Sequence, residues 1–294
     1  MIIDKNGDKW YKVGLHIHTT ITDGRVSPEE AARIYKDAGF DAIAITDHWT
    51  YGFGGELSGL KILSGAEYNI GDPDTSNLVI HIVGVGMKSD PKLQKNHTCP
   101  QTAIDSIKSN GGMVILAHPA WSLNTVEQVK DLSGIDCVEI YNSVSNIEQS
   151  TRPYSGYFID IAANSGIVYN VIATDDAHYY TQDAAKSFIM VKSESLESDD
   201  IINAIKSGDF YASQGPELYV KKVDGKVIVE CSKCEMINFL SNSSWECDRI
   251  HRSHGITYAE YNIKNYEKWV RVEVLDEDGN YAWSNVINLN GTNK

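Results

Sequence analysis

The stretch that decides the fold is Gly14-Leu15-His16-Ile17-His18-Thr19-Thr20-Ile21-Thr22-Asp23-Gly24. It overlaps a short apolar run, Tyr11 to Ile17, which has the pattern of a buried β-strand. Because alternate side chains of a strand share one face, His16 and His18 are predicted to point into the same space. Asp23 follows in the next turn. Two imidazoles and a carboxylate at one strand end suit a divalent transition metal, although such a pair alone is as typical of half-buried histidines.

The composition is that of an ordinary globular protein. The 294 residues are 42% hydrophobic and 22% charged, enough for one large domain or a large and a small one. We expect no signal peptide and no membrane partner, since no basic-then-apolar leader and no long apolar stretch is present. Five cysteines without a disulfide-like spacing favour the cytoplasm. The net charge of −14 argues against an extended nucleic acid as partner, but not against a short nucleotide.

A strand–helix–strand unit follows the first stretch. Ser27-Pro28-Glu29-Glu30 has the pattern of a capped helix start, and Gly39 that of a helix end. Phe40 to Thr46 then has the pattern of a buried strand that ends at Asp47-His48. Such a unit predicts parallel strands.

The same alternation continues towards residue 208. Further strands are predicted at Leu60–Ala66, Leu78–Val85, Met113–Ala117, Asp136–Tyr141, Ile167–Ala173 and Ser187–Val191. Further helices are predicted at Thr102–Asn110, Val126–Leu132, Tyr157–Ser165 and Asp199–Ser207. About eight strands alternating with helices predict a parallel α/β architecture. An open doubly wound sheet also places sites at strand ends, but we favour a (β/α) barrel because ligands from so many strands must converge.

The pattern changes after Gly215-Pro216. Short strands are predicted at Leu218–Val223, Lys226–Glu230, Met236–Leu240, Tyr258–Ile263, Trp269–Leu275 and Ala282–Leu289. Turn sequences separate them, and Asp224-Gly225 suits a tight hairpin. We therefore expect a barrel domain of residues 1–213 and a small all-β, sandwich-like domain of residues 214–294.

Nine candidate ligands lie at or near the predicted strand ends, and six of the nine histidines are among them. They are His16, His18, Asp23, His48, Glu67, His81, His118, Asp176 and His178. Each has a plain structural alternative, since a single buried histidine is more often a satisfied core residue. Six histidines at successive strand ends are hard to explain in that way, so the set predicts a metal site.

These residues lie in motifs that resemble the PHP (polymerase and histidinol phosphatase) family of metal-dependent phosphoesterases. The motifs, in the family's order, are His16-Ile17-His18, Thr22-Asp23-Gly24, Ile45-Thr46-Asp47-His48, Gly65-Ala66-Glu67, Ala117-His118-Pro119 and Asp176-Ala177-His178. The resemblance implies a distorted (β/α)7 TIM-like barrel. The β-rich tail, with Val270 to Val274 and Ala282 to Asn285, resembles a branch that includes carbaryl (carbamate) hydrolases.

The resemblance also implies two or three divalent metal ions. The first would be held by His16, His18, Glu67 and Asp176. The second would be held by His81, His118 and a bridging Glu67. The third would be held by Asp23, His48 and His178. The catalytic residues would be Glu67, Asp176, His178 and His48.

One position departs from the family's pattern. Asp175 stands where many relatives have serine, which leaves two neighbouring aspartates as candidate ligands. The Asp-x-His spacing favours Asp176, with Asp175 accepting hydrogen bonds behind it.

The ligand chemistry indicates which metals and which reaction to expect. Imidazole and carboxylate ligands together suit Mn²⁺, Zn²⁺ or Fe²⁺ better than Mg²⁺. Such cations bind phosphate oxygens and activate water, so the expected nucleophile is a metal-bridging hydroxide. The sequence has no Gly-x-Ser-x-Gly motif and no Walker loop, which disfavours a serine hydrolase and an NTPase.

Three residues are candidate substrate contacts: Arg152, Tyr141 and Asn142. Arg152 is expected in a loop facing the site, where it could bind a phosphate through two hydrogen bonds, or be solvated. Tyr141 and Asn142, with Glu139, lie at a strand end and could touch substrate, although a packed tyrosine is nearly as common. Asp47 is predicted to support the site or cap a helix rather than bind metal.

A cysteine pattern in the tail has a second interpretation. Cys231-x-x-Cys234 followed by Cys247 and His251 is similar to a zinc-finger spacing. Strand-end cysteines without a metal are the favoured alternative.

The leading hypothesis is a cytoplasmic metal-dependent phosphoesterase that acts on a small phosphate monoester or nucleotide. An alternative keeps the metals and changes the scissile bond to a carbamate or carboxyl ester. A third hypothesis is a non-catalytic module that binds metal or ligand.

Overall fold

The computed structural model describes residues 1–71, 79–147 and 150–289. Strands β1 to β9 span Ile2–Ile3, Lys9–Gly14, Ala42–Ala44, Gly55–Leu57, Leu60–Leu63, Gly65–Ile70, Ile80–Val85, Met113–Leu116 and Cys137–Asn142. Strands β10 to β18 span Asn170–Thr174, Phe188–Lys192, Phe210–Ser213, Leu218–Val223, Lys226–Ser241, Ile250–Asn262, Trp269–Leu275, Tyr281–Trp283 and Ile287–Asn288. Helices α1 to α5 span Pro28–Asp37, Pro100–Ser109, Val126–Val129, Gly156–Asn164 and Ser198–Ser207. Two 3₁₀ turns span Lys95–His97 and Val144–Asn146.

Two mixed sheets form the frame of the molecule. The smaller has the strand order β10-β9-β8-β7-β6. The larger runs β13-β14-β16-β17-β12-β11-β2-β3-β5-β4, with β1, β15 and β18 paired beside β2, β14 and β16. Within the described residues neither sheet closes on itself, so the expected (β/α)7 barrel is not shown. The observed architecture is mixed α/β, with much sheet and few helices.

Strand directions depart from the predicted parallel arrangement. β2, β3 and β5 run parallel, as do β8, β9 and β10. β7, however, is antiparallel to both β6 and β8. Ile70 ends β6 and Ile80 begins β7, too short a separation for the crossover of a dozen or more residues that parallel neighbours need. The reversal brings His81, at the start of β7, to the end of the sheet where β8 leads into His118. The predicted start of this strand, Leu78, lies outside the described residues.

The segment predicted as one strand, Leu60 to Ala66, is two strands in different sheets. β5 ends at Leu63 in the larger sheet, and β6 begins at Gly65 in the smaller one. A Cβ atom at Gly65 would lie only 2.8 Å from the carbonyl oxygen of Ile45, so the chain can pass this closely only as glycine. Glu67 is therefore inside a strand rather than after one.

Single bridges join the two sheets where the candidate ligands lie. Ile17 pairs with Ala177 beyond the ends of β2 and β10, and His48 pairs with Glu67 beyond the end of β3. β2 itself ends at Gly14, short of the predicted Ile17. His16, His18 and His48 therefore lie on loop segments that these bridges hold in register.

Helix α1 forms as the capping sequence predicts. The Ser27 side chain accepts a hydrogen bond of 3.2 Å from the backbone N–H of Glu30, and Pro28 occupies the first turn. Ala31, Ala32 and Tyr35 form its buried face.

The C-terminal strands continue the larger sheet. β14 runs unbroken from Lys226 to Ser241, where two shorter strands were predicted, and pairs with β13, β15 and β16. β17 pairs with β12, a strand that the sequence analysis missed. The predicted tail strand Ala282–Leu289 is split into β17 and β18. The division into residues 1–213 and 214–294 stays a prediction.

A buried arginine links the C-terminal strands to helix α4. The Arg271 guanidinium, on β16, donates to Asp160 through Nε (2.6 Å) and Nη2 (3.0 Å), and through Nη1 to Glu273 Oε1 (2.5 Å). The Tyr154 hydroxyl also donates to Glu273. We call these four residues the Arg271 network.

In the described part of the chain, no helix combines the length and apolarity that a membrane crossing requires.

Candidate metal centre

The nine predicted ligands converge at one end of the two sheets, and we call them the histidine–carboxylate cluster. They form three groups whose ligand atoms lie within 4.8 Å of one another. The first group is His16, His18, Glu67 and Asp176. The second is Glu67, His81 and His118. The third is His18, Asp23, His48 and His178. The structure thus places His18 with Asp23, His48 and His178, the residues predicted to hold the third metal ion.

Glu67 lies at the centre of the cluster and is buried. Its Oε2 atom is 3.1 Å from both Nε2 of His18 and Nδ1 of His48. Its Oε1 atom is 2.8 Å from Nδ1 of His81 and 3.5 Å from Nε2 of His118. Glu67 therefore belongs to both the first and the second group.

The tautomer of His16 is set by Glu139. Nδ1 of His16 donates to Glu139 Oε1 at 2.7 Å, because a carboxylate can only accept. Nε2 of His16 therefore presents a lone pair, 3.2 Å from Asp176 Oδ1 and 3.3 Å from Glu67 Oε2. Three electron-rich atoms at this separation repel one another unless a proton or a metal cation lies between them. Burial would lower the pKa of His16, but the Asp176, Glu67 and Glu139 carboxylates raise it well above its usual value, so this position attracts positive charge.

Several buried atoms of the cluster have no hydrogen-bond partner among the described residues. They are Nδ1 of His18, Nδ1 of His48 and Oδ1 of Asp176. Buried polar atoms are rarely left in this state, and a missing ion is one cause. The nitrogen and oxygen donors present are those that divalent transition metals take, so the residues fit such ions.

The pKa values in the cluster show that it attracts positive charge. Burial would raise the pKa of Glu67, but the His16 and His81 imidazoles hold it well below its usual range. His16 and His18 likewise outweigh burial and lower the pKa of Asp176. Burial would lower the pKa of His18, yet the Asp176 and Glu67 carboxylates raise it to about 9.

Two ligand candidates have strained backbones. His118 has φ of 28° and Asp176 has φ of 51°, a region that costs a residue with a side chain of order 1–3 kcal/mol. Hydrogen bonds fix both: the His118 N–H donates to Glu139 Oε2 (2.8 Å) and the Asp176 N–H to the His16 carbonyl (2.9 Å). Strain held in this way is typical of functional sites.

Asp47 supports the loop that presents Asp23. It accepts hydrogen bonds from the Thr19 N–H (2.8 Å), the Thr19 hydroxyl (2.7 Å) and the Thr22 hydroxyl (2.7 Å). It therefore fixes the loop rather than the neighbouring imidazole of His48.

Asp183 fixes the loop of His178, and the sequence analysis missed it. Its carboxylate accepts from the backbone N–H groups of His178 (2.7 Å), the next residue (2.8 Å) and Tyr180 (2.7 Å). Nδ1 of His178 donates to the Asp176 carbonyl at 2.7 Å, so Nε2 presents its lone pair 3.5 Å from Asp23 Oδ2. No local sequence signal marked this role, because the carboxylate accepts from N–H groups three to five residues earlier in the chain.

Asp175 contacts no imidazole of the cluster. It accepts hydrogen bonds from the Tyr35 hydroxyl (2.7 Å), the Ser143 hydroxyl (2.9 Å) and the N–H groups of Lys186 (3.0 Å) and Ser187 (2.7 Å). Burial raises the pKa of this carboxyl to about 6. Its placement corresponds to a hydrogen-bond acceptor behind the site.

The side-chain amide of Asn142, one of the predicted substrate contacts, is hydrogen-bonded within the protein, and its contact with substrate stays a prediction. Its Nδ2 donates to Glu139 Oε2 (2.9 Å) and Asp176 Oδ2 (3.2 Å), and its Oδ1 accepts from the Ser145 N–H and hydroxyl. The amide is fully used in holding carboxylates. Glu139 is also buried, and it orients His16.

The other two predicted substrate contacts, Tyr141 and Arg152, differ in exposure: the tyrosine is half-buried and the arginine is exposed. The Tyr141 ring stacks on Trp283 at a centroid distance of 5.6 Å, which is the packed alternative. Arg152 is exposed, and its backbone N–H donates to the Ser145 carbonyl. Its guanidinium has no ion-pair partner in the ranges that the structure describes.

The cysteine pattern of the tail does not assemble a metal group. Cys231, Cys234 and Cys247 are free thiols. No group of metal-type ligands among the described residues includes them or His251.

Fold and cluster together define a mixed α/β protein with a buried, cation-attracting centre at one end of its sheets. No protein-family model matches the chain. The chain is 30% identical over 146 residues to the uncharacterized protein MJ1587 of Methanocaldococcus jannaschii, an alignment that covers 45% of this chain and 82% of that protein. The chain therefore belongs to the same family as MJ1587.

A solved structure shares the fold. A two-domain protein from Bacteroides vulgatus, described as containing a "predicted PHP-like metal-dependent phosphoesterase", matches 98% of both chains with a TM-score of 0.56 and 15% identity. This match shows that the chain shares the fold of that protein over nearly its whole length; the carbaryl-hydrolase branch stays a prediction. An amidohydrolase from Chromobacterium violaceum, with bound sulfate and no metal, matches 67% of this chain and 96% of its own with a TM-score of 0.44 and 15% identity.

Proposed function

We propose that the protein is a metal-dependent phosphoesterase of the PHP type that hydrolyses a small phosphate monoester or nucleotide. The observation that carries the proposal is the convergence of nine nitrogen and oxygen ligands into three overlapping groups around Glu67. The fold shared with a protein described as PHP-like adds support. The proposed compartment is the cytoplasm.

Each group would hold one divalent ion. His16, His18, Glu67 and Asp176 would hold the first, Glu67, His81 and His118 the second, and Asp23, His48 and His178 the third. Bound there, Mn²⁺, Zn²⁺ or Fe²⁺ would bind phosphate oxygens, lower the pKa of a water molecule and stabilise the leaving oxygen.

The protein's own contribution is to hold lone pairs and exclude water. Glu139 keeps Nδ1 of His16 protonated and its Nε2 free, and the Asp176 carbonyl does the same for His178. Burial of Glu67 and Asp176 strengthens their attraction for cations, because the local dielectric is low.

The test is a paired assay on protein reconstituted with Mn²⁺ or Zn²⁺. One substrate is 4-nitrophenyl phosphate and the other 4-nitrophenyl acetate, since both release the same chromophore. Asp176→Asn is the site variant, and Asp37→Asn, an exposed aspartate at the end of α1, is its matched control.

Phosphate cleavage that is lost in Asp176→Asn and kept in Asp37→Asn supports the proposal. Ester cleavage alone, with the same dependence on Asp176, would instead assign a carbamate or carboxyl ester hydrolase. If metal-loaded protein cleaves neither substrate, the hypothesis that remains is a non-catalytic module that binds metal or ligand.

A further inference from the structure

One large aromatic side chain stands exposed beside the histidine–carboxylate cluster. Trp121 is 40% exposed, whereas Trp269 and Trp283 are buried. Its ring centroid lies 5.0 Å from that of His118 and 5.7 Å from that of His81. Since both imidazoles belong to the second ligand group, the indole stands at the edge of the proposed reaction centre.

The loop that carries Trp121 is held by hydrogen bonds on both sides of the indole. The Ser122 N–H donates to the His118 carbonyl (3.1 Å), and the Ala120 N–H donates to the Ser155 hydroxyl (3.2 Å). The Asn124 side chain donates to the Val79 carbonyl at the entrance to β7 (2.8 Å). The indole is thus placed by the loop and does not merely extend into solvent.

Part of the indole is open to solvent, and no imidazole is stacked on it. Its plane meets the His118 ring at 80° and the His81 ring at 59°, so neither imidazole stacks face to face on it. An indole face is among the best surfaces for a planar aromatic group.

We infer that Trp121 is a specificity-determining residue that stacks on a planar aromatic group carried by the alcohol of the phosphate ester. The inference rests on the proposed function and names its substrate class: esters with an aryl or nucleobase group near the phosphate. A phosphate bound at the second ligand group would place the first groups of its alcohol beside the indole.

The inference can be tested without turnover. Phenylphosphonate and methylphosphonate keep an unhydrolysable P–C bond and differ only in the aromatic group. Their dissociation constants would be measured by calorimetry on Mn²⁺-loaded wild type, Trp121→Ala and Trp121→Phe. Trp245→Ala is the matched control, because Trp245 is 73% exposed and lies in the C-terminal segment.

We expect wild type to bind phenylphosphonate more tightly than methylphosphonate by roughly 5- to 150-fold, the usual worth of one stacked ring. Trp121→Ala should bring the two within about twofold, Trp121→Phe should keep part of the preference, and Trp245→Ala should keep all of it. A preference that survives Trp121→Ala, or none in wild type, overturns the inference.

Competition by adenosine 5′-monophosphate and ribose 5-phosphate, in the same proteins, separates the two sources of the aromatic group. A Trp121-dependent preference for the nucleotide indicates a nucleobase, and one for phenylphosphonate alone indicates an aryl ester. Failure of the proposed function has a different signature: phenyl phosphate is not hydrolysed although phenylphosphonate binds in a Trp121-dependent manner.

Discussion

The histidine–carboxylate cluster and the Arg271 network both bury carboxylates. The network pairs them with a guanidinium, which keeps its protons, whereas the cluster pairs them with imidazoles, which can exchange a proton for a metal. In the network, the Arg271 guanidinium donates to Asp160 through two nitrogens and to Glu273 through a third. In the cluster, Glu67 and Asp176 face imidazole nitrogens, and Asp176 Oδ1 has no hydrogen-bond partner among the described residues.

The difference separates a structural use of buried charge from a functional one. Paired and hydrogen-bonded charges can be buried at tolerable cost, and their geometry then fixes how elements pack. Unpaired buried acceptors are costly and persist where a ligand compensates them. Removing one charge should therefore act mainly on stability in the network and mainly on metal binding and activity in the cluster.

The largest expected effect is on folding, in the network. Arg271→Ala should lower the free energy of unfolding by about 3–5 kcal/mol, because Asp160 and Glu273 would be left without their cation. Urea unfolding followed by circular dichroism measures it. Arg252→Ala, an exposed arginine on β15, is the control and should change stability by less than about 0.5 kcal/mol. If Arg271→Ala destabilised the protein no more than Arg252→Ala, the Arg271 network would not have the structural role assigned to it.

The next largest effect is on activity, in the cluster. Glu67→Gln should reduce phosphate-ester hydrolysis by more than about 100-fold, since even residues that only orient metal ligands cost 10–100-fold when changed. Metal-free Glu67→Gln should remain folded at the assay temperature, because glutamine keeps the shape of the side chain, and circular dichroism would check this. A variant that is inactive because it is unfolded would contradict this expectation.

A smaller loss should follow when the orientation of His16 is disturbed. In the wild type, the Glu139 carboxylate accepts hydrogen bonds from His16 Nδ1 and from the His118 N–H. Glu139→Gln would turn an amide N–H₂ group towards one of these donors, so the ligand would be less well oriented and metal affinity should fall about 10–100-fold. Competition with a chelating dye measures the affinity. Glu127→Gln, with a side chain 79% exposed, should leave it unchanged.

The smallest effect is a pH dependence of metal binding. The Asp176 and Glu67 carboxylates raise the pKa of His18 to about 9 against the effect of burial, so a metal must displace its proton at neutral pH. Affinity should therefore increase as pH rises towards 9, by about tenfold per unit for one displaced proton. Calorimetry in buffers of different ionisation enthalpy would report the released proton. No proton release at neutral pH would show that His18 is neutral before binding.

Local signals in the sequence predicted several helices, strands and turns, and they identified the nine candidate ligands that the structure places together. Ser27 caps α1 as expected, and Asp224-Gly225 forms the hairpin between β13 and β14. Gly24 was part of the decisive motif for a steric reason: a Cβ there would lie 2.4 Å from the His18 carbonyl oxygen. Such features depend on neighbours in the chain, which is why a pattern can predict them.

Features set by distant neighbours were not predicted. β7 runs antiparallel to β6 and β8. The connection before β7 is short, but its length predicts the strand direction only once it is known that β6 and β7 pair. Tyr141 packs on Trp283, more than a hundred positions away, and Arg271 meets Asp160 across a similar separation. Glu139 was noticed as a strand-end residue, but its role needed the position of His16 in space.

The most direct test of the central claim, that the cluster is a metal centre, is the number of metal ions the protein retains. Wild type and Asp176→Asn would be incubated with Mn²⁺ or Zn²⁺, desalted and analysed by plasma mass spectrometry, with Asp37→Asn as control. We expect two or three equivalents in wild type and in the control, and a loss of about one or more in Asp176→Asn. Less than one equivalent in wild type, or equal retention in Asp176→Asn, would contradict the account.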